Sequence, residues 1–151
     1  MDNLFFLARD SFVWYRMALR LRHLFLGMNF HYLYISRKAV FVSCLYDLSD
    51  YELELVFSDT IGYTPRQLLS SLALEEDEML QAFCADELDE PLDSGKRVRF
   101  YDRIRSSSLA KILLEKSGEA RRLLLSYLRQ EGFLGSEKPG IVDIGWKGNT
   151  N

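Results

Sequence analysis

The first 35 residues constrain the fold more than any other part of the chain. Leu4–Ala8 is a continuous apolar run, which is typical of a buried strand. Apolar residues then recur at helical spacing from Val13 to Phe25, and Gly27 ends that segment. The aromatic and β-branched run His31–Ile35 predicts a second strand. A strand–helix–strand unit this short requires parallel strands joined by a right-handed crossover.

A third strand is predicted near the end of the chain, at Ile141–Ile144. The dipeptide Pro139-Gly140 precedes this run as a break, and Gly145 and Gly148 follow it in a turn. Asp143 is the one charged residue in the run, and a carboxylate in a buried strand needs a partner or a function.

Helix signals fill most of the chain between the second and third strands. Ser49–Glu52 matches a capping box, Thr64-Pro65 is a helix start, and Glu75–Glu78 is an acidic helix start. Ala39–Leu45 is compatible with helix or strand. Lys96–Arg105 is also ambiguous, but its helical neighbours favour helix.

The last helix is predicted to begin after Ser108 and to run to Gln130, with Ser117-Gly118 splitting or kinking it. We therefore expect a single α/β domain over 1–151. It has a small parallel sheet made from a βαβ start and a return strand, with a helical insertion over 39–132. Three strands make a small sheet, so we expect a fragment of a larger domain or an open edge that pairs elsewhere.

Charge is unevenly spread along the chain, although its net value is only −3. Residues 1–46 hold six basic and two acidic residues. Residues 47–95 hold one basic and fourteen acidic residues, and residues 96–151 hold twelve basic and six acidic residues. The simple interpretation is that acidic and basic surfaces lie side by side in the fold. The alternative is a basic face for an anionic ligand, with the acidic segment 47–95 as a surface for a protein partner.

The composition also bears on location and excludes several classes. Two cysteines, Cys44 and Cys84, form no disulfide framework, and Leu4–Ala8 is too short for a membrane span or signal peptide. We expect a cytoplasmic protein. The P-loop, dinucleotide-binding, nucleophile-elbow and metal-ligand motifs are missing from the sequence. A nucleic-acid partner is not expected, because the chain is acidic overall and Lys96–Arg105 carries no recognised binding signature.

Polar clusters follow each predicted strand, where open parallel sheets bind their ligands. Arginine and lysine there suit phosphate, and glycine-loop N–H groups can cradle it. Asp10 and Asp143 are the candidate catalytic residues, as proton acceptors or as ligands of Mg²⁺. Alternatively, the residues after the first strand only orient the helix, and Asp143 caps loop amides. The candidate ligand-binding residues are Arg9, Ser36, Arg37, Lys38, Gly145, Lys147 and Gly148.

The same strand ends resemble a region of bacterial surface-polysaccharide biosynthesis proteins. The segments that carry the resemblance are Phe5–Asp10, Tyr32–Ala39 and Val142–Gly148. In those proteins the region follows a haloacid-dehalogenase-like (HAD) hydrolase domain, often beside glycosyltransferase domains. The family pattern is Arg-Asp-Gly where this chain has Ser11. The hydrolase's own Asp-x-Asp motif is missing from this sequence, so the resemblance implies association with such a hydrolase rather than its activity.

Two functions follow as expectations. The first is a phosphate- or nucleotide-sugar-binding α/β domain linked to polysaccharide biosynthesis, whose ligand is a phosphorylated or sugar-nucleotide small molecule. The second is a non-catalytic scaffold that docks enzymes of the same pathway. The sequence leaves open whether the protein is an enzyme.

Overall fold

The computed structural model describes residues 2–57, 60 and 62–143, with the backbone alone at Arg37 and Lys38. The chain divides into two units. The sheet unit comprises 1–37 and 123–151, and the helical unit comprises 38–122. The sequence placed the helical insertion at 39–132, whereas residues 123–132 group with the sheet.

Three parallel strands form the sheet: β1 (Asn3–Leu7), β2 (Asn29–Leu33) and β3 (Pro139–Val142). Their order is β2-β1-β3, and β1 pairs in parallel with both neighbours. The predicted α/β class, with its parallel βαβ start and its return strand, is confirmed.

The third strand begins two residues earlier than predicted, so Pro139-Gly140 belongs to the strand rather than breaking the chain before it. Proline is compatible with this place because it is the first residue of an edge strand, where its missing N–H is tolerated. Asp143 consequently follows the strand and is exposed. The prediction of a carboxylate inside a buried strand was wrong. Ile144 lies outside the described residues.

The two faces of the sheet carry different elements. Side chains alternate along a strand, so Phe5 and Phe6 point to opposite faces. Phe6 meets Tyr15 of helix α1 (Phe12–Arg20), with 5.7 Å between ring centroids. Phe5 makes an edge contact with Phe133 at 5.0 Å. Helix α1 is followed by a 3-10 turn, Arg22–Leu24, and by Gly27 at φ +80°.

Within the described ranges, seven helices follow the second strand. Ser49 caps α3 through a hydrogen bond to the Glu52 amide, and Thr64 with Gln67 forms a capping box on α4. Both predicted helix starts are confirmed, and the two ambiguous segments prove to be helical. The bounds are α2 Arg37–Ser43, α3 Asp50–Val56, α4 Pro65–Ser71, α5 Glu76–Met79, α6 Ala85–Leu88, α7 Ser94–Ser106 and α8 Leu109–Gln130.

A large hydrophobic cluster lies within the helical unit. Its centre includes the fully buried Phe57, Leu69 and Ile104. Phe57 packs on Phe100 and Tyr101 at about 6 Å between ring centroids. Burial of this kind is the main stabilising term in a small unit.

Basic side chains pair with several carboxylates of the acidic segment 47–95. Ion pairs join Arg103 to Glu87 at 2.8 Å and Lys116 to Glu78 at 2.7 Å. Other pairs are Arg66 with Glu76 and Asp89, Lys96 with Glu90, and Arg105 with Asp50. The simple interpretation of the uneven charge therefore holds for these residues, because opposite charges distant in sequence meet in the fold.

Helix α8 is continuous through Ser117-Gly118, so the predicted split was wrong, and the kink stays a prediction. The Ser117 hydroxyl is buried and donates to the Leu45 carbonyl at 2.7 Å. This tertiary hydrogen bond at Ser117 helps to offset the weak helix propensity of the Ser117-Gly118 pair. At the far end, Gly132 (φ +77°) closes the helix in a Schellman motif, with the Phe133 amide donating to the Leu128 carbonyl at 2.9 Å.

None of the helices among the described residues is both long and apolar enough to cross a bilayer.

Replacing Gly118 with alanine should raise the free energy of unfolding by about 1 kcal/mol, because alanine is the better helix former. A Cβ atom placed there has no heavy atom within 4 Å. The same substitution at Gly132, where φ is positive, should lower stability by about 1–2 kcal/mol. Urea denaturation of both variants tests the pair, and equal effects at the two glycines would contradict this account of α8.

Stability should fall as the pH drops through the acid range. Hydrogen bonds from Lys116 and from the Glu75 amide lower the pKa of Glu78 below its usual 4.5. A carboxyl with a lowered folded-state pKa stabilises the fold above its unfolded pKa and loses that contribution as it is protonated. Glu78→Gln should therefore cost about 1–2 kcal/mol near neutral pH, and this difference should shrink below pH 4.5. Glu119→Gln, at an exposed and weakly paired position, is the control and should show neither effect.

Candidate functional site

The carboxyl ends of the three strands lie at one edge of the sheet. Leu7 of β1 is in register with Leu33 of β2, and Phe6 is in register with Val142 of β3. The Ala8 amide extends the ladder by donating to the Leu33 carbonyl at 2.9 Å. The segments that begin at Ala8, Tyr34 and Asp143 therefore all leave the sheet at this edge, which we call the carboxyl edge.

A topological switch point lies between β1 and β3. The chain leaves β1 through α1, on the Phe6 face, and crosses to β2 on one side. It enters β3 on the other side, after Phe133 has packed on the Phe5 face. The direction of connection therefore reverses between β1 and β3, and open α/β sheets bind ligands beyond the carboxyl ends of the strands at such a point.

Arg9 and Asp10 occupy the turn between β1 and α1. Both are exposed, and the Arg9 carbonyl accepts a hydrogen bond from the Phe12 amide at 3.2 Å. The main chain is thereby held while the two side chains project into solvent. An exposed arginine beside the strand ends can form a bidentate contact with a phosphate or carboxylate without the cost of a buried charge.

Ser11 lies at the N-cap position of α1, but its side chain has another role. Its hydroxyl makes no cap hydrogen bond and instead donates to the Val142 carbonyl at 3.0 Å. The residue is fully buried, and its φ of −81° is an ordinary value. Ser11 thus ties the turn after β1 to the last residue of β3 and spans the switch point. A backbone turn at φ > 0, the conformation that a glycine would favour, is not used here.

Tyr32 lies close to Asp10, and sequence reasoning did not single it out. Partial burial raises the pKa of Tyr32 above its usual 10.0, and interactions with Tyr34 and Asp10 raise it further. The Tyr32 ring contacts Phe12 and Tyr15 at 5.6 and 5.3 Å. The phenol is therefore a protonated donor at neutral pH beside an acidic residue. Strand alternation was the available signal, since it places Tyr32 on the same face as Phe6.

The second polar cluster, Ser36-Arg37-Lys38, follows β2 less closely than expected. Ser36 is exposed and lies three residues beyond the strand. Arg37 is the first residue of α2, and Lys38 follows it within the helical unit. The structure thus brings the Ser36 and Arg37 backbone to the carboxyl edge and assigns Lys38 to the other unit.

Asp143 supplies the third strand end. It follows Val142 directly and is exposed. Continuing the β1–β3 register places it beside Leu7. Gly145, Lys147 and Gly148, the predicted loop residues, lie outside the described residues.

The three charged side chains at the switch point do not neutralise one another. No hydrogen bond or ion pair joins Arg9, Asp10 and Asp143 among the described residues. Over the same part of the chain, no cluster of three or more His, Cys, Asp or Glu side chains could hold a metal ion.

His31 lies in the middle of β2, in register with Phe5, and takes part in a structural network. Its Nε2 lies 3.0 Å from the Asn3 side-chain oxygen, and its ring stacks on Phe5 at 4.6 Å. The Asn3 amide in turn donates to the Ser136 hydroxyl at 3.1 Å. These contacts satisfy the histidine and place it away from the carboxyl edge.

A cleft of about 370 Å³ opens on the helical unit. Four of its charged residues pair with each other, since Arg103 binds Glu87 and Lys96 binds Glu90. Arg103 also lies over the Phe83 ring at 5.1 Å. We therefore assign no ligand to it. The lining residues are Pro65, Phe83, Glu87, Glu90, Leu92, Lys96, Arg99, Phe100 and Arg103.

Compared with known proteins, the chain matches no family model and no curated sequence.

Substituting Ser11 with alanine should lower the free energy of unfolding by about 1–2 kcal/mol, because the Val142 carbonyl loses its side-chain donor. Amide hydrogen exchange should increase most at the β1–β3 pairing. Ser106→Ala, which removes an exposed hydroxyl within the last turn of α7, is the control. If the unfolding free energy of Ser11→Ala is no lower than that of Ser106→Ala, the hydrogen bond from Ser11 to Val142 does not contribute to stability.

Proposed function

We propose that this protein is a phosphate- or nucleotide-sugar-binding α/β domain whose site is the carboxyl edge between β1 and β3. One observation carries the proposal: parallel pairing brings the chain after β1 and the chain after β3 to a switch point. Exposed charged side chains, Arg9, Asp10 and Asp143, follow the strands there. Open parallel sheets bind small ligands at this place.

Each residue has a role that its chemistry suits. Arg9 would bind phosphate oxygens together with Arg37 and Lys147, the basic residues that follow the second and third strands. Ser36 would donate to the same group, and Gly145 and Gly148 would let the loop after β3 approach it closely.

The two carboxylates would act through a metal ion or through sugar hydroxyls. Asp10 and Asp143 repel a bare phosphate, so they favour it only when Mg²⁺ lies between them and the anion. Without a metal they would accept hydrogen bonds from a sugar. If the domain is catalytic, one of them is the proton acceptor.

The pathway assignment rests on the resemblance described above. The strand-end segments Phe5–Asp10, Tyr32–Ala39 and Val142–Gly148 resemble the region that follows a HAD hydrolase domain in bacterial surface-polysaccharide proteins. We accordingly propose an association with that hydrolase and with glycosyltransferases, in the cytoplasm.

The scaffold function remains as a second candidate, through the open edges of the sheet rather than the acidic segment. In the part of the chain that the structure describes, β2 and β3 are the edge strands, and an unpaired edge can accept another strand. Several carboxylates of 47–95 are already engaged by α7 and α8, which leaves fewer for a partner.

Calorimetric titration with UDP-glucose, glucose 1-phosphate and inorganic phosphate, each with and without Mg²⁺, tests the site. We expect Arg9→Gln to weaken binding at least about tenfold, since it removes a charge-assisted contact. Asp143→Asn should weaken binding only in the presence of Mg²⁺, and without the metal should leave it equal or tighter.

Arg122→Gln is the matched control, because it removes one exposed positive charge without touching the carboxyl edge. Binding that Arg9→Gln and Arg122→Gln reduce equally would indicate nonspecific charge attraction. No heat with any probe, from protein whose fold is verified by circular dichroism, would exclude the ligand-binding function and leave the scaffold.

A further inference from the structure

Helix α1 has an apolar surface on the side that does not pack on the sheet. Its inner side is defined by Phe12 and Tyr15, whose rings contact Tyr32. No residue of the helix is buried. Val13 and Met17 are four residues apart and Trp14 lies beside them, so the three share one side. Their exposed fractions are 62%, 45% and 52%.

The chain after α1 continues this apolar surface. Leu21, Leu24, Phe25 and Leu26 are all exposed, and Leu26 reaches 92%. Isolated exposed apolar side chains are ordinary, but a contiguous set of large ones marks an interaction surface. We call the set from Val13 to Leu26 the α1 apolar surface.

Positive charge borders the α1 apolar surface. Arg16 and Arg20 are four residues apart and adjoin Val13 and Met17 at helical spacing. Arg22 and His23 lie in the turn that follows. All four are exposed, and the sequence from 11 to 46 contains no aspartate or glutamate. In the helical unit, by contrast, several arginines form ion pairs with carboxylates.

We propose that the α1 apolar surface binds the face of an anionic lipid bilayer. Tryptophan, phenylalanine and leucine side chains would enter the region between headgroups and acyl chains, and the arginines would contact lipid phosphates. This combination of an apolar side with basic flanks is how helices lie in the plane of a membrane interface. An apolar groove on a protein partner fits this surface less well than an anionic bilayer, because it would leave these arginines without counter-charges.

The proposal is independent of the ligand site. The carboxyl edge lies where the strands end, whereas Leu24–Leu26 lies between α1 and the start of β2. Because the strands are parallel, the start of β2 is at the opposite edge of the sheet.

Co-sedimentation of the full chain with vesicles tests the proposal. We expect binding to phosphatidylcholine vesicles containing about 30% phosphatidylglycerol, and little binding to phosphatidylcholine alone. In a Trp146→Phe background, Trp14 is the one remaining tryptophan, and its fluorescence should shift to shorter wavelength with anionic vesicles.

Variants separate the two components of the interaction. Arg16→Gln with Arg20→Gln should weaken binding at least about tenfold, since each arginine contributes about fivefold near an anionic surface. Leu26→Ser should weaken it about tenfold by removing an inserted side chain. Lys111→Gln with Arg122→Gln removes two exposed charges from α8 and should leave binding unchanged.

Three outcomes would overturn the proposal. One is no sedimentation with anionic vesicles by protein of native circular dichroism. Another is equal weakening by the α1 and α8 charge variants, which means nonspecific attraction. The third is concentration-dependent self-association, measured by sedimentation velocity and abolished by Leu26→Ser, which would identify a second copy of the chain as the occupant.

Discussion

The pairing of β1 on both sides is the constraint on which the sheet unit depends. β1 is the central strand of the sheet, and its backbone groups are satisfied only when β2 and β3 lie beside it. β3 is more than 130 residues away along the chain, as the 131-residue separation between Ser11 and Val142 shows. Closing so long a loop costs entropy. The helical unit offsets part of that cost because it folds the intervening chain around a core of its own.

Charge is used differently in the two units. In the helical unit, arginine and lysine side chains hold loops by binding carbonyls and carboxylates, as Arg121 does at Ser43 and over the Tyr46 ring at 3.4 Å. In the sheet unit, Arg9, Arg16 and Arg20 are exposed. Exposed cations cost little to maintain and keep their full ability to attract anions. This contrast is the physical basis for assigning both proposed interactions to the sheet unit.

The sequence predicted the candidate site through topology rather than through a motif. Arg9, Asp10 and Asp143 could be placed at one edge because parallel strands end on the same side. The burial of the site residues and their contacts could not be predicted from the sequence. Asp143 follows its strand instead of lying within it, and Ser11 binds Val142 instead of capping α1. Both differences arise because the residues involved are far apart in sequence and meet only in the folded chain. The spacing of neighbouring residues therefore does not predict these contacts.

Local sequence determined which segments form helices and strands, and tertiary contacts determined where these elements end and what they contact. Capping at Ser49 and Thr64, the βαβ start and the helical nature of Lys96–Arg105 were readable because each depends on neighbours within one or two turns. The continuity of α8 through Gly118, the strand position of Pro139 and the ion pairs of the acidic segment were decided only in the folded chain. Their physical reason is shared: contacts between residues far apart in sequence outweigh local propensities of about 1 kcal/mol.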